Sequence, residues 1–276
     1  GVTGFIGRPL CVELTKQGHD LTLVTRKPQA YQPSWGMPSR FLQWDMEHDD
    51  CPIDLEGFDA IIHLAGESIA NGLWTTKQKS QILHSRIDSC RALGKALAKR
   101  KTSLSCFISA SAVGIYPSSP HQTFDEKSPS GVGFLAEVCI AWEAAVMALP
   151  NVEREVRLRF GIVLGAGGGV LKKLILPTRL GCGAVIGDGR QWMSWIHRDD
   201  IIAIIGEALQ NSSYRSAINA VAPEPVMQKD FQGLLSHLLQ RPLFLRVPGA
   251  ILRIFFGELS RLALDSQRVV PWRLKQ

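Results

Sequence analysis

Three glycines at three-residue spacing open the chain, in Gly1-Val2-Thr3-Gly4-Phe5-Ile6-Gly7. That spacing suits a phosphate-holding turn. The first glycine permits a tight strand-to-helix reversal, the second admits a pyrophosphate to the backbone, and the third lets the following helix pack on a sheet. The helix start adds N–H donors and a partial positive charge. Further on, Thr25-Arg26-Lys27 closes a strand where such a fold meets the adenosine ribose. An NAD site puts a carboxylate there to bind the 2′-hydroxyl; Arg26 and Lys27 instead suit a 2′-phosphate, so the cofactor expected is NADP(H). A further cluster, Arg190, Trp192, Trp195 and His197 with Asp199 and Asp200, follows a glycine-rich stretch. Arg190, Trp195 and His197 read as the rim of a substrate pocket, and Asp199 or Asp200 reads as the N-cap of the next helix.

These residues need a scaffold, and the apolar pattern supplies one. Strand-length segments at Asp20–Thr25, Ala60–Ala65, Cys106–Ala110, Val156–Leu164 and Ile218–Val221 alternate with amphipathic helical stretches, the pattern of βαβ units on a parallel sheet. One helix runs from Thr75 to about Lys99 and another from Gly133 to Leu149. The fold class expected is α/β: a Rossmann doubly wound parallel sheet with a smaller C-terminal α/β substrate lobe. Residues 1–165 form the NADP-binding core, and residues 166–276 form the lobe, interwoven with the core. The chain opens inside the motif, so the first strand is expected largely upstream of Gly1.

The 276 residues include 45% hydrophobic and 20% charged residues, ordinary globular values. No apolar run is long enough to span a membrane; Ala250–Phe256 is short and carries Arg253. The net charge of +6 is spread along the chain, which argues against nucleic acid as partner. Six scattered cysteines without C-x-x-C spacing read as reduced, mostly buried thiols. No metal site is expected. A reducing compartment such as cytoplasm follows, with an organelle left open because a targeting segment would lie upstream.

Thr3–Gly7, His63-Leu64-Ala65-Gly66 and Ile108–Ala112 together resemble the extended short-chain dehydrogenase/reductases. Leu64–Glu67, Ser85-Arg86, Trp142-Glu143, Arg159–Leu164, Trp195–His197, Val221–Pro223 and Arg241-Pro242 resemble, more narrowly, its atypical subfamily labelled sugar-nucleotide epimerases, which ends in a characteristic C-terminal segment. The resemblance implies an NADP-binding extended fold. Cofactor contacts then fall on Thr25, Arg26, Leu64, Ala65, Gln81, Arg86 and Val163, beside Gly1, Thr3, Gly4, Phe5, Ile6 and Gly7 of the turn. The bland alternatives are that Leu64, Ala65 and Val163 are core residues and Arg86 a surface charge.

Members of this superfamily place Ser or Thr after the strand at Cys106–Ala110, with a Tyr and a Lys four residues apart on the next helix. The Lys lowers the phenol pKa so that the phenol can exchange a proton with substrate. Ser111 matches the hydroxyl. The helix reads Phe-Leu-Ala-Glu-Val-Cys-Ile-Ala-Trp over 134–142 and has neither partner. Tyr116, in Gly114-Ile115-Tyr116-Pro117, and Glu67, after a cofactor-lining strand, are the replacement candidates. Tyr116 reads equally as an aromatic of the cleft wall, and Glu67 as a cap or surface ion pair. His63 reads as a satisfied strand histidine. The function expected is an NADP(H)-binding oxidoreductase or epimerase-like protein acting on a small polar carbonyl or alcohol, with a nucleotide sugar among the candidates. Its rival is a catalytically silent NADP(H)-binding accessory or structural subunit of a larger assembly.

Overall fold

A computed structural model describes residues 1–31, 36, 39–45 and 50–276. Its centre is a four-stranded parallel sheet in the order Ser216–Ala220, Glu155–Phe160, Cys106–Ala112, Ala60–His63. A separate parallel pair, Thr22–Thr25 with Arg40–Gln43, lies beside the glycine turn. Alternate strand residues face opposite ways, so the sheet packs against a core on each face. Ile108, Val156, Leu158 and Ile218 pack under Leu10 and Leu14 of the helix Gly7–Lys16 and Ile201 and Ile205 of the helix Arg198–Gln210. Phe107 faces the other way, into Leu93 and Leu97 of the helix Thr76–Leu97 and Trp142 and Val146 of the helix Phe134–Met147. Helices cover both faces, the doubly wound arrangement.

The single long strand expected over Val156–Leu164 is divided. The central sheet keeps Glu155–Phe160, whereas Ile162–Leu164 pairs with Trp195–His197. Gly161 makes the change of partner possible: its N–H donates to the Ala220 carbonyl at 3.1 Å, and a Cβ there would come within 2.6 Å of the Ser194 carbonyl oxygen. Crossing at this point opens a gap between the core sheet and the C-terminal part.

The C-terminal part holds the helices Gly169–Arg179 and Gln228–Leu238, with Ala184–Ile186 parallel to Leu245–Val247 and Trp192–Met193 antiparallel to Val226–Met227. Residues 198–220 return to the core, supplying a helix on one face and the edge strand. The helix at 198 starts differently from the expectation. His197 is its N-cap, its Nδ1 accepting the Asp199 N–H at 3.3 Å, so Asp199 and Asp200 sit within the first turn rather than capping it. Strand pairing of Trp195–His197 with 162–164 holds His197 at the junction, leaving the acidic pair one turn in, where it complements the helix dipole.

Candidate functional site

The glycine turn is built by contact. Gly4 N–H donates to the Gly1 carbonyl at 3.1 Å. A Cβ on Gly1 would lie 2.5 Å from the Leu64 carbonyl carbon, and one on Gly7 only 2.2 Å from the Gly1 oxygen. Gly1 and Gly7 are therefore required by backbone packing. Gly4 lines the cleft, with only the Gly1 oxygen nearby, at 3.1 Å from such a Cβ. The helix that follows has no side-chain cap on its N-terminus; in its first turn the Arg8 N–H donates to the Gly4 carbonyl at 3.2 Å and Pro9 has no N–H. Phe5 is gripped behind the turn: Cβ atoms on Gly165, Gly168 and Gly169 would press its ring at 3.0, 2.4 and 2.9 Å. The Arg198 guanidinium lies 5.3 Å from the ring centre.

Two compartments adjoin at this turn. One compartment, about 300 Å³, is lined by Thr3, Thr25, Arg26, Trp44, Asp45 and Glu67. The other, about 590 Å³, includes Phe5, Ile6, Arg86, Ser111 and Val163. Gly1, Gly4, Leu64, Ala65 and Gly66 border both. Arg86 stands at the junction, its Nη1 donating to the Ile82 carbonyl at 2.7 Å and its guanidinium 5.0 Å from the Trp142 ring centre. Burial pulls its pKa down, with Cys139 and Glu67 opposing. Of the cofactor residues anticipated, Gln81 is exposed on its helix and lines neither compartment.

Ser111, 3% exposed, ends in a buried network. Its Oγ donates to Glu143 Oε1 at 2.7 Å. Arg159 grips the same carboxylate through Nε to Oε1 at 2.8 Å and Nη2 to Oε2 at 2.9 Å, and Arg157 Nη1 adds a bond to Oε2 at 3.1 Å. One hydroxyl and three guanidinium N–H groups converge on two oxygens, an arrangement that a carboxylate anion satisfies. Burial opposes the charge on Arg159, but the Glu143 bonds outweigh it and hold its pKa above the ordinary arginine range. The topology assembles the cluster. Arg157 and Arg159 alternate on one strand and so share a face, Ser111 lies opposite Arg159 in register, and Glu143 comes down from the helix above.

Tyr116 joins this network from behind. Its hydroxyl donates to Asn219 Oδ1 and accepts from Arg159 Nη1, both at 2.7 Å; its ring is 2% exposed and borders a separate cavity of about 250 Å³ with Arg157 and Glu143. Burial raises its pKa, partly offset by Arg159. Glu67 lines the Arg26 compartment, and its N–H donates to Ser85 Oγ at 2.9 Å. Among the three acid/base candidates, only Ser111 lines the large compartment. Arg190, Trp195 and His197 lie outside its lining: Arg190 is exposed, Trp195 Nε1 donates to the Glu224 carbonyl at 3.1 Å, and His197 is engaged as a cap. The segment between them, Gln191-Trp192-Met193-Ser194, lines the cleft instead.

His63 is buried, with Nε2 3.0 Å from Ser89 Oγ, and burial lowers its pKa to about 3. All six cysteines are free. Cys139 lines the cleft, but burial pushes its pKa up to about 12, leaving an unreactive thiol. Among the described residues no His, Cys, Asp and Glu cluster is arranged to hold a metal, and no helix is long and apolar enough to cross a membrane. Glu143, Arg159 and Asn219 were absent from the sequence reading as site residues. A signal existed: Cys139, Glu143 and Val146 share one helical face, so a carboxylate interrupts an otherwise apolar stripe.

A doubly wound sheet, a glycine turn at a helix start and a cleft reaching Ser111 define a nucleotide-binding protein of the extended short-chain dehydrogenase/reductase type. Residues 1–220 match the NAD dependent epimerase/dehydratase family, and residues 247–276 match a domain of unknown function, DUF1731. The chain belongs to that epimerase/dehydratase family, in its atypical branch carrying the C-terminal segment. Similar proteins include the "Epimerase family protein SDR39U1 homolog, chloroplastic" of Arabidopsis thaliana, 37% identical over 100% of this chain and 80% of the relative. Human SDR39U1 is 34% identical over 99% of this chain and 90% of the relative. A crystal structure of human SDR39U1 (isoform 2) with NADPH superposes with a TM-score of 0.87 at 33% identity, covering 99% of this chain and 90% of that one. A structure of MoeE5 with UDP-glucose and NAD, at 20% identity and TM-score 0.75, shares the fold.

Proposed function

We propose that this chain binds NADP(H) and acts as an oxidoreductase or epimerase-like enzyme on a small alcohol or carbonyl. The observation that carries the reading is the pair of compartments that adjoin at the glycine turn, one lined by Arg26 and the other by Ser111. The NADPH bound by the human relative supports the choice of cofactor. Arg26 would hold the 2′-phosphate, and the turn N–H groups would hold the pyrophosphate. Leu64 and Ala65, just past one strand, and Val163, within another, would border the cofactor with their backbones, and Arg86 supports the junction. The cofactor, when bound, supplies a hydride donor or acceptor at nicotinamide C4. In oxidation the alcohol carbon gives up a hydride and its oxygen a proton, leaving a carbonyl. Ser111 orients that oxygen. An unassisted serine is a poor acid or base near neutral pH, so the proton passes to a water at Ser111. Tyr116 acts at a distance by bracing Arg159, and Glu67 serves the adenosine side.

A silent, cofactor-holding role is the second reading, favoured by one observation: the helix Phe134–Met147 contains neither Tyr nor Lys. Mixing the protein with NADPH and a panel of aldehydes and ketones, and with the oxidised cofactor and the corresponding alcohols, separates the two. A change in the reduced nicotinamide absorbance with any member of either panel supports the enzyme. Tight cofactor binding with no change across both panels supports the silent role.

A further inference from the structure

The large compartment has polar residues on its walls, and most are already engaged within the protein. Gln191 Nε2 donates to the carbonyls of Ile186 at 3.1 Å and Ala263 at 2.9 Å. Gln228 donates to the Ala184 carbonyl at 3.3 Å and accepts the Ile186 N–H at 3.1 Å. Gln267 Nε2 donates to the Tyr116 carbonyl at 2.7 Å, and Ser194 Oγ to the Gln267 carbonyl at 2.7 Å. Arg261 Nε is paired with Asp265 at 3.1 Å, so those two charges offset each other. Arg86 belongs to the cofactor junction. The surface beyond Ser111 includes the apolar residues Val170, Leu174, Ile186, Met193, Phe231 and Leu262.

Such walls do not suit a nucleoside diphosphate. With Arg86 at the cofactor junction, a pyrophosphate placed among them would lose its hydration and meet only Arg261, whose charge Asp265 already offsets, an unfavourable exchange for a doubly charged group. The cationic candidate from the sequence, Arg190, lies outside the lining. Ser111 narrows the choice further. A hydroxyl has one hydrogen to donate, and here it is directed at the Glu143 carboxylate, which can only accept. Toward the cleft, Ser111 therefore offers lone pairs. It receives a hydrogen bond from an alcohol and gives none to a ketone oxygen.

Resting on the proposed NADP(H) chemistry, we infer that the substrate is an uncharged, apolar alcohol, oxidised to its ketone, rather than a nucleotide sugar. Glu143 is a positioning residue that sets this polarity by orienting the Ser111 hydroxyl. The balance is complete: the carbinol hydride goes to the oxidised cofactor, the hydroxyl proton goes to solvent, and a C=O bond replaces the C–H and O–H bonds.

The test is calorimetric titration of the NADPH-loaded protein with 4-tert-butylcyclohexanol and, separately, UDP-glucose, neither of which NADPH can reduce by this chemistry. The alcohol is expected to bind at least tenfold more tightly. Ser111→Ala should weaken the alcohol about fivefold to tenfold, the worth of one hydrogen bond. Leu174→Asp, on a half-buried helix position, should weaken it at least tenfold while NADPH affinity holds. Tighter binding of UDP-glucose, or NADPH binding without any binding of the alcohol, overturns the substrate assignment alone. Failure of NADPH to bind overturns the cofactor reading, and the substrate assignment with it.

Discussion

Ser111 Oγ lies 2.7 Å from Glu143 Oε1, joining the residue that faces the cleft to a carboxylate that is 4% exposed behind it. This contact couples the Ser111 end of the cleft to the core: whatever moves Glu143 also turns Ser111.

Glu143→Leu removes the anion from between Arg157 and Arg159 and leaves both guanidinium groups buried with fewer partners. Breaking one side of a buried ion pair costs about 3–5 kcal/mol. Urea unfolding should show a loss of that size, and Glu143→Gln, which keeps one carbonyl acceptor, a smaller one. A Leu variant as stable as the parent would remove Glu143 from its place in this account.

Tyr116→Phe deletes a hydroxyl that bridges Arg159 and Asn219. The expected cost is about 1–3 kcal/mol, because a buried amide oxygen and a guanidinium N–H each lose a partner. NADPH affinity should be unchanged, since Tyr116 borders a different cavity from the cofactor cleft. A variant of normal stability that binds NADPH tenfold more weakly would place the phenol in the cleft instead.

His63 predicts a pH dependence. Its folded pKa is lowered from 6.5 to about 3 by burial, so between those values the unfolded chain binds a proton that the folded one refuses. Stability attributable to this residue is intact above pH 6.5 and falls as the pH falls below it, by about 1.4 kcal/mol per pH unit. His63→Leu should remove this slope, because Ser89 Oγ keeps acceptors in the carbonyls of Ser85 at 2.9 Å and Arg86 at 3.0 Å. Parallel stability curves for parent and variant from pH 7 to 4 would show that His63 titrates normally.

Local pattern carried much of this architecture. The glycine turn, the strand end at Thr25 and the two long helices were legible because each depends on short-range spacing. The Ser111 network was not, because Ser111, Glu143 and Arg159 meet only once two strands are in register and a helix lies across them. The pocket rim is a related case. Trp192–Met193 and Trp195–His197 are too short for alternation to reveal an inner face, so Trp195 and His197 were read as pocket residues where Trp192 and Met193 line the cleft. The break at Gly161 was hidden because Val156–Leu164 is apolar enough to read as one strand. Its cause, the close approach of the Ser194 carbonyl, lies 33 residues away in sequence, from Gly161 to Ser194.

The central claim is that Arg26 makes this an NADP(H) cleft, and calorimetry with NADPH and NADH tests it most directly. Arg26 lines the compartment beside Thr3 and Thr25 where the adenosine ribose would lie. One charge-assisted contact to the 2′-phosphate is worth about 1.5–3 kcal/mol, so NADPH should bind at least about tenfold more tightly than NADH. Arg26→Asp should abolish or reverse that preference. Equal dissociation constants for the two cofactors in the unaltered protein would contradict the account.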